Sequence, residues 1–375
     1  MFMDISSEMI HALLPIYFVT VLGTSMTTVG VIEGTAEATA MITKVFSGAL
    51  SDWLGKRKLL AVVGYGLAAL TKPVFPLAIT ISWFVAARFI DRLGKGIRGA
   101  PRDALVADIA PEHVRGASFG VRQSLDTVGA FMGPLLAIGL MLLTSNSFML
   151  VFWVAVVPAF IAFAVMLFGV EEPAKHRQEA NAKRRLRLAD ATRLSRAFWA
   201  VVGIGTVLTL ARFSEAFLVL KAQTVGVPIA LVPAVLIAMN IVYALVSYPA
   251  GALSDRINGN TILLGGIGML VIADLILASS TAFPTVLVGV VFWGLHMGLT
   301  QGVLATLVAD TSPEDLRGTA FGVFNLASGV AMLVASVIAG GLWDAFGPKM
   351  TFLTGAAFSV VSFTGFAITR ARSPI

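Results

Sequence analysis

The sequence predicts an all-α membrane protein whose 12 transmembrane helices form two parallel six-helix repeats. Three observations predict it. Hydrophobic residues make up 57% of the 375 and charged residues only 13%, with a mean hydropathy of +0.88, whereas a soluble domain carries about 25% charged residues. The apolar residues fall into stretches of the roughly 20 residues that a bilayer-spanning helix needs. The two halves of the chain also repeat one another.

The spans are expected near 4–23, 28–50, 58–80, 82–106, 116–144, 147–170, 197–222, 228–253, 260–281, 283–309, 317–343 and 349–370. They divide the chain into a first six-helix bundle (1–170), a basic linker (171–196) and a second six-helix bundle (197–375). The first span begins without a basic n-region, so no cleavable signal peptide is read, and its closeness to Met1 leaves room for a longer natural N-terminus. The chain holds no Cys, which excludes disulfide frameworks, thiolate metal sites and Cys nucleophiles.

Loop charges set the orientation. The linker carries Lys175, Arg177, Lys183, Arg184, Arg185, Arg187, Arg193 and Arg196, and loops on the same side add Lys56, Arg57, Lys58, Arg115, Arg256, Arg317, Arg370 and Arg372. The opposite loops hold Lys221 and Lys349. The positive-inside rule makes the first set cytoplasmic, which puts both termini inside, as an even number of spans requires. A multi-pass protein of a bacterial-type inner membrane is expected.

The repeat is explicit. Gly48-Ala49-Leu50-Ser51-Asp52 returns as Gly251-Ala252-Leu253-Ser254-Asp255, 203 positions on. Ala107-Asp108 and Pro111-Glu112 return as Ala309-Asp310 and Pro313-Glu314, and Arg115-Gly116 and Phe119-Gly120 as Arg317-Gly318 and Phe321-Gly322, at an offset of 202. Three whole hairpins separate corresponding spans, so the halves share one orientation. Parallel repeats enclosing a midplane site are a transporter architecture.

At these residues the chain resembles the major facilitator superfamily over its whole length. Gly48-x-Leu50-x-Asp52-x-x-Gly55-Lys56-Arg57 is similar to that family's signature between spans 2 and 3, with Trp53 where a basic residue is usual. Arg88 matches the family's span-4 arginine. Gly120-x8-Gly129-x3-Gly133-Pro134 resembles the span-5 signature of proton-coupled exporters, except that Leu135, Leu136 and Ala137 replace the glycines that usually follow. The resemblance implies alternating access by a secondary transporter, a cavity lined by spans 1, 4, 7 and 10, and a cytoplasmic latch drawn from Asp52, Arg57, Arg115, Asp255 and Arg317. Efflux is somewhat favoured.

Charges inside the spans carry the rest of the reading. Each costs about 2.5–3.5 kcal/mol at a helix centre on insertion scales, so such residues pair or face a cavity. Helical spacing puts Asp4, Glu8 and His11 on one face of span 1. It puts Glu33, Glu37 and Lys44 along span 2, and Arg88, Asp91, Arg92, Lys95, Arg98, Arg102 and Asp103 on one broad face of span 4. Arg122 and Asp126 stand one turn apart on span 5. The second half supplies Arg212, Glu215, Asn240, His296, Gln301 and Asn325. A cavity so basic suits an anionic or zwitterionic solute, or a metal chelate.

The expected substrate contacts are Asp4, Glu8, His11, Arg88, Arg92, Lys95, Arg122, Arg212, Glu215, Asn240, His296, Gln301 and Asn325. The expected proton carriers are Glu8, Glu33, Glu37 and Asp126. The coupling ion is H⁺; no cofactor, nucleic acid or resident metal is called for, and a monomer is expected. Three other readings compete. The span-4 bases and nearby carboxylates could be structural ion pairs only. The same scaffold could export lipophilic drugs. Asp4, Glu8 and His11 could ligate a divalent metal or serve a membrane enzyme, which no nucleophile, phosphate-loop or His-Glu-x-x-His motif supports. Lys72 and Asp274 receive no functional account from sequence.

Overall fold

A computed structural model describes residues 1–111, 114–172, 193–254, 259–313 and 316–372, apart from the side chains at 52, 115, 116, 252, 254 and 369–372. Nearly all of it is helix: α1 (Phe2–His11), α2 (Leu14–Thr20), α3 (Met26–Leu54), α4 (Arg57–Thr71), α5 (Val74–Leu77), α6 (Ile81–Ile109), α7 (Arg115–Leu143), α8 (Phe148–Phe168), α9 (Arg196–Ala211), α10 (Ala216–Thr224), α11 (Ala234–Ser254), α12 (Gly259–Ser279), α13 (Phe283–Asp310), α14 (Arg317–Phe346) and α15 (Pro348–Arg372). Large apolar side chains such as Phe46, Trp83, Leu143 and Phe168 stand exposed, as a lipid-facing surface requires.

Ten segments among the described residues are long and apolar enough to cross a membrane. The other two of the twelve are α3 and α6, 29 residues each, whose polar and charged residues lower their hydropathy. Three spans expected as single helices are instead broken. Span 1 parts between α1 and α2. Span 3 parts at Lys72-Pro73, where the proline ring clashes with the preceding turn and removes a helical donor. Span 7 parts at Arg212–Glu215, between α9 and α10. The prolines inside α6, α7, α8 and α11 do not break their helices.

Contacts divide the chain into two units. The first holds Met1–Leu14 and the described residues from Thr35 to Glu172; the second holds Pro15–Gly34 and those from Arg193 onward. The division departs from the expected halves at Pro15–Gly34, which groups with the second. The expected linker lies outside the described residues for 173–192.

In the first unit, α6 is the axis. It packs along α4 so closely that a Cβ at Gly94 would stand 2.6 Å from the Gly64 carbonyl oxygen, the small-residue approach that association in lipid favours. A buried ion pair fixes the same helices at the break: Lys72 Nζ donates to Asp91 at 2.8 Å and to the Ser7 hydroxyl at 3.0 Å, with the two charged side chains 1% and 3% exposed. The pair ties α1, the α4–α5 corner and α6 together, and it supplies the account of Lys72 that the sequence lacked.

The glycines of α7 seat α1. A Cβ at Gly129 would lie 2.7 Å from Asp4 Cβ, and one at Gly133 would lie 2.6 Å from Glu8 Cβ and 2.9 Å from the Ile5 carbonyl oxygen. Gly120, the first glycine of the same motif, faces open space. The span-5 signature is thus, in part, the seat that sets the height of Glu8.

The second unit packs around aromatic rings: Phe213 meets Phe217, Trp293 and Phe352 at 5.4, 5.6 and 5.5 Å between centroids. The start of α3 belongs here. Asp344 accepts hydrogen bonds from the backbone N–H groups of Met26 (2.9 Å) and Thr27 (2.8 Å) and from the Thr27 hydroxyl (2.6 Å). It thereby satisfies donors that a helix start leaves open.

Two stability measurements follow. Lys72→Met strands a buried carboxylate and is expected to cost about 3–5 kcal/mol, while Lys72→Met/Asp91→Leu recovers most of it. Thermal unfolding of the detergent-solubilised protein reads both; a neutral single variant would contradict the pairing. Gly133→Ala is expected to cost about 1–3 kcal/mol through overpacking while Gly120→Ala is silent, and equal effects would remove the packing account.

Candidate substrate and coupling site

In the first unit, charges from three helices converge. Arg88, Arg92 and Lys95 of α6 lie within electrostatic reach of Glu8, and the same three with His11 lie within reach of Glu37 of α3. Arg92 approaches Glu37 at 3.4 Å. The His11 imidazole lies 3.8 Å from Glu8, outside hydrogen-bond range. Arg88 and Arg92 are 2% and 1% exposed, whereas Lys95 is exposed and Glu8 and Glu37 are partly so. The spacing Arg88, Arg92, Lys95 keeps these cations on one face of α6.

A second group lies toward the far end of α6. Asp126 accepts from Arg122 at 2.8 Å and from Arg102 at 3.2 Å, and Asp103 faces Arg122 at 3.3 Å and Arg102 at 3.4 Å. The ion-pair reading therefore describes Arg122 and Asp126, each of which spends its charge on the other. Asp4 lies beside them and accepts from the amino group of Met1 at 2.9 Å. Arg98 stacks over the Tyr65 ring at 5.0 Å, a partner that cation–π attraction supplies and that α4–α6 packing brings into range.

Glu33 stands one turn before Glu37 on α3 and is fully buried. Among the described residues no group of three His, Asp or Glu, Asp4, Glu8 and His11 included, is placed to hold a metal ion. Of the latch residues, Arg57 pairs with Asp108, and its backbone N–H donates to Glu172 at 2.8 Å. Arg317 is exposed. Asp255 and the side chains of Asp52 and Arg115 lie outside the described residues.

In the second unit, Arg212 and Glu215 flank the break between α9 and α10 and are partly buried, as are Asn240, Gln301 and Asn325. Tyr243 donates to Gln301 at 3.0 Å. His296 is fully buried with Nδ1 2.9 Å from the Gly266 carbonyl oxygen, turned onto the neighbouring helix. Ser7, Tyr65, Asp344 and Glu172 were not legible as contact residues. Each acts on a helix distant in sequence, and no periodicity signals such a pairing.

Comparison with known proteins closes the identification. The model of the Major Facilitator Superfamily matches residues 1–331 and again 202–374, the second match starting where the repeat offset puts the second half. The chain is 34% identical over 373 residues to the uncharacterized MFS-type transporter MJ1317 of Methanocaldococcus jannaschii, covering 96% of this chain and 90% of that one. It is 24% identical over 377 residues to the inner membrane transport protein YajR of Escherichia coli, covering 95% and 78%. In structure it is similar to the nucleoside transporter NupG at a TM-score of 0.78 and 15% identity, covering 98% and 96%. With a family match over both halves and a relative at 34% identity along nearly the full length, the chain belongs to the Major Facilitator Superfamily.

Proposed function

We propose that this transporter moves a small anionic or zwitterionic solute, free or as a metal chelate, in exchange for protons, with efflux the favoured direction. One observation carries the substrate class: Arg88, Arg92 and Lys95 share their neighbourhood with two carboxylates, Glu8 and Glu37. With His11 neutral, the group keeps one positive charge in excess. Lys95 is exposed, so its ammonium is available to a carboxylate or phosphate of the solute. Two arginines beside it supply the planar donors that anion recognition uses.

The coupling assignment follows from the ion pairs. Glu37 is engaged by Arg92, and Asp126 by Arg102 and Arg122. Glu8 has a weaker partner in His11. Of Glu8, Glu37 and Asp126 it is the carboxyl that can exchange a proton without first breaking an arginine contact. Of the four expected carriers it is our first choice. The basic loops support a bacterial-type inner membrane with both termini cytoplasmic.

Drug export keeps the support of Gly129, Gly133 and Pro134 in α7, but these glycines are occupied with seating α1.

The test is flux in proteoliposomes under an imposed pH gradient, with glutamate, malate and ferric citrate as polar probes and ethidium as the lipophilic one. A polar probe is expected to follow the gradient. Lys95→Ala is expected to weaken its apparent affinity by about tenfold, since a hydrogen bond to a charged group contributes about 1.5–3 kcal/mol. Glu8→Gln is expected to abolish the gradient dependence. Ethidium flux indifferent to Lys95→Ala would favour the drug reading, and polar flux that ignores the gradient would refute coupling.

A further inference from the structure

The second unit contains a carboxyl group that the site above does not use. Asp274 on α12 is 0% exposed, and neither of its oxygens has a hydrogen-bond partner among the described residues. Asp91, also buried, is held by Lys72, whereas Asp274 has no such cation among the described residues.

Its surroundings are specific. From α15, Gly355 faces it: a Cβ there would stand 2.8 Å from Asp274 Oδ2 and 3.2 Å from Phe213 Cε1. The missing side chain is what leaves the carboxyl its place. Phe213 lies in the break between α9 and α10, flanked by Arg212 and Glu215, and its ring packs on Trp293 of α13 and Phe352 of α15. The titratable groups on the packed elements are Arg212 and Glu215 in the break, Arg196 on α9, Lys221 on α10, Tyr243 and Tyr248 on α11, His296 (Nδ1 against Gly266) and Asp310 on α13, and Lys349, Arg370 and Arg372 on α15. None forms an ion pair with Asp274 among the described residues.

An isolated ionised carboxylate in such apolar surroundings is costly, and the group neutralises instead. Irregular backbone at membrane depth is tolerated where it is buried in protein or lines a water-filled cavity; Phe213 of the Arg212–Glu215 break approaches the same Gly355 as Asp274, and Arg212 and Glu215 beside it are only partly buried.

We propose that Asp274 is a second proton-binding site, which exchanges its proton with water through the Arg212–Glu215 break during transport. The step is a proton transfer alone. The carboxyl O–H bond breaks, the proton passes to water at the break and the carboxylate remains; the reverse step restores the acid. It rests on the proton-coupled reading and adds a carrier in the unit where no proton carrier besides Glu33 was expected.

The test uses infrared difference spectroscopy on the full-length reconstituted protein, wild type and Asp274→Asn, together with the flux assay. Expected is a protonated-carboxyl C=O band in the wild type, shifted by isotope-labelled aspartate and missing in Asp274→Asn, that weakens several-fold in alkaline buffer. No such band, or one insensitive to both buffer pH and deuterium exchange, overturns the proposal, and the labelled wild type decides this even if the variant folds poorly. In the flux arm, Asp274→Asn is expected to lower gradient-driven transport of the polar probe by about tenfold while exchange at equal pH is kept. Wild-type flux that ignores the gradient would sink the coupling reading, whatever the band does. Gradient-driven wild-type flux matched by Asp274→Asn would sink this proposal alone.

Discussion

A charge inside a bilayer must be paired, hydrated or neutralised, and the first unit is organised by that requirement. Its centre is α6, which carries Arg88, Asp91, Arg92, Lys95, Arg98, Arg102 and Asp103 along one helix. Each of its neighbours contributes a group of complementary chemistry. Lys72 answers Asp91, Glu37 answers Arg92, Tyr65 covers Arg98, and Asp126 answers Arg102. Close packing of α6 on α4 and of α1 on α7 serves this pairing, because charges can satisfy one another only where backbones approach closely. The glycines at 64, 94, 129 and 133 permit that approach.

The pairing also divides the charged residues by what their charges are spent on. A pair with both members buried, such as Lys72–Asp91, contributes position and leaves no charge for a solute. A pair that leaves a member exposed, or a carboxyl whose partner is a histidine at 3.8 Å, retains chemistry. On that criterion Glu8 and Lys95 stand apart from Asp126 and Arg122, although all four were expected either to contact the solute or to carry a proton. The cost of mis-pairing is asymmetric: removing one partner of a buried pair costs far more than the pair itself contributes. A span-4 helix so rich in charge is therefore constrained at nearly every turn by residues far away in sequence.

Much of this was legible in the sequence, for physical reasons. The spans are long apolar runs, and the repeat is written in identical residues such as Gly48–Asp52 and Gly251–Asp255. The charged stripes follow from the helical period. Breaks were less legible. Pro73 marks one, but Ala12-Leu13 and Arg212–Glu215 interrupt runs that are apolar enough to read as continuous. Pairings across helices were not legible, because Lys72 and Asp91 lie 19 residues apart with a corner between them and Asp344 reaches the α3 start 318 residues away.

The breaks give the repeat a meaning beyond its signatures. Adding the 202-residue offset to Ala12-Leu13, where span 1 parts, gives positions 214 and 215, inside the break of span 7. Both halves thus interrupt their first span at the corresponding place, and both set an acid near it, Glu8 before one break and Glu215 within the other. What surrounds them differs. In the first half the acid faces a helix of cations. In the second the break lies against Phe213, Trp293 and Phe352, with Asp274 behind them. A carboxyl among cations has groups of opposite charge around it, whereas one among aromatic rings does not. The duplicated scaffold thus keeps the interruption of its first span, while the chemistry packed around that interruption differs between the halves.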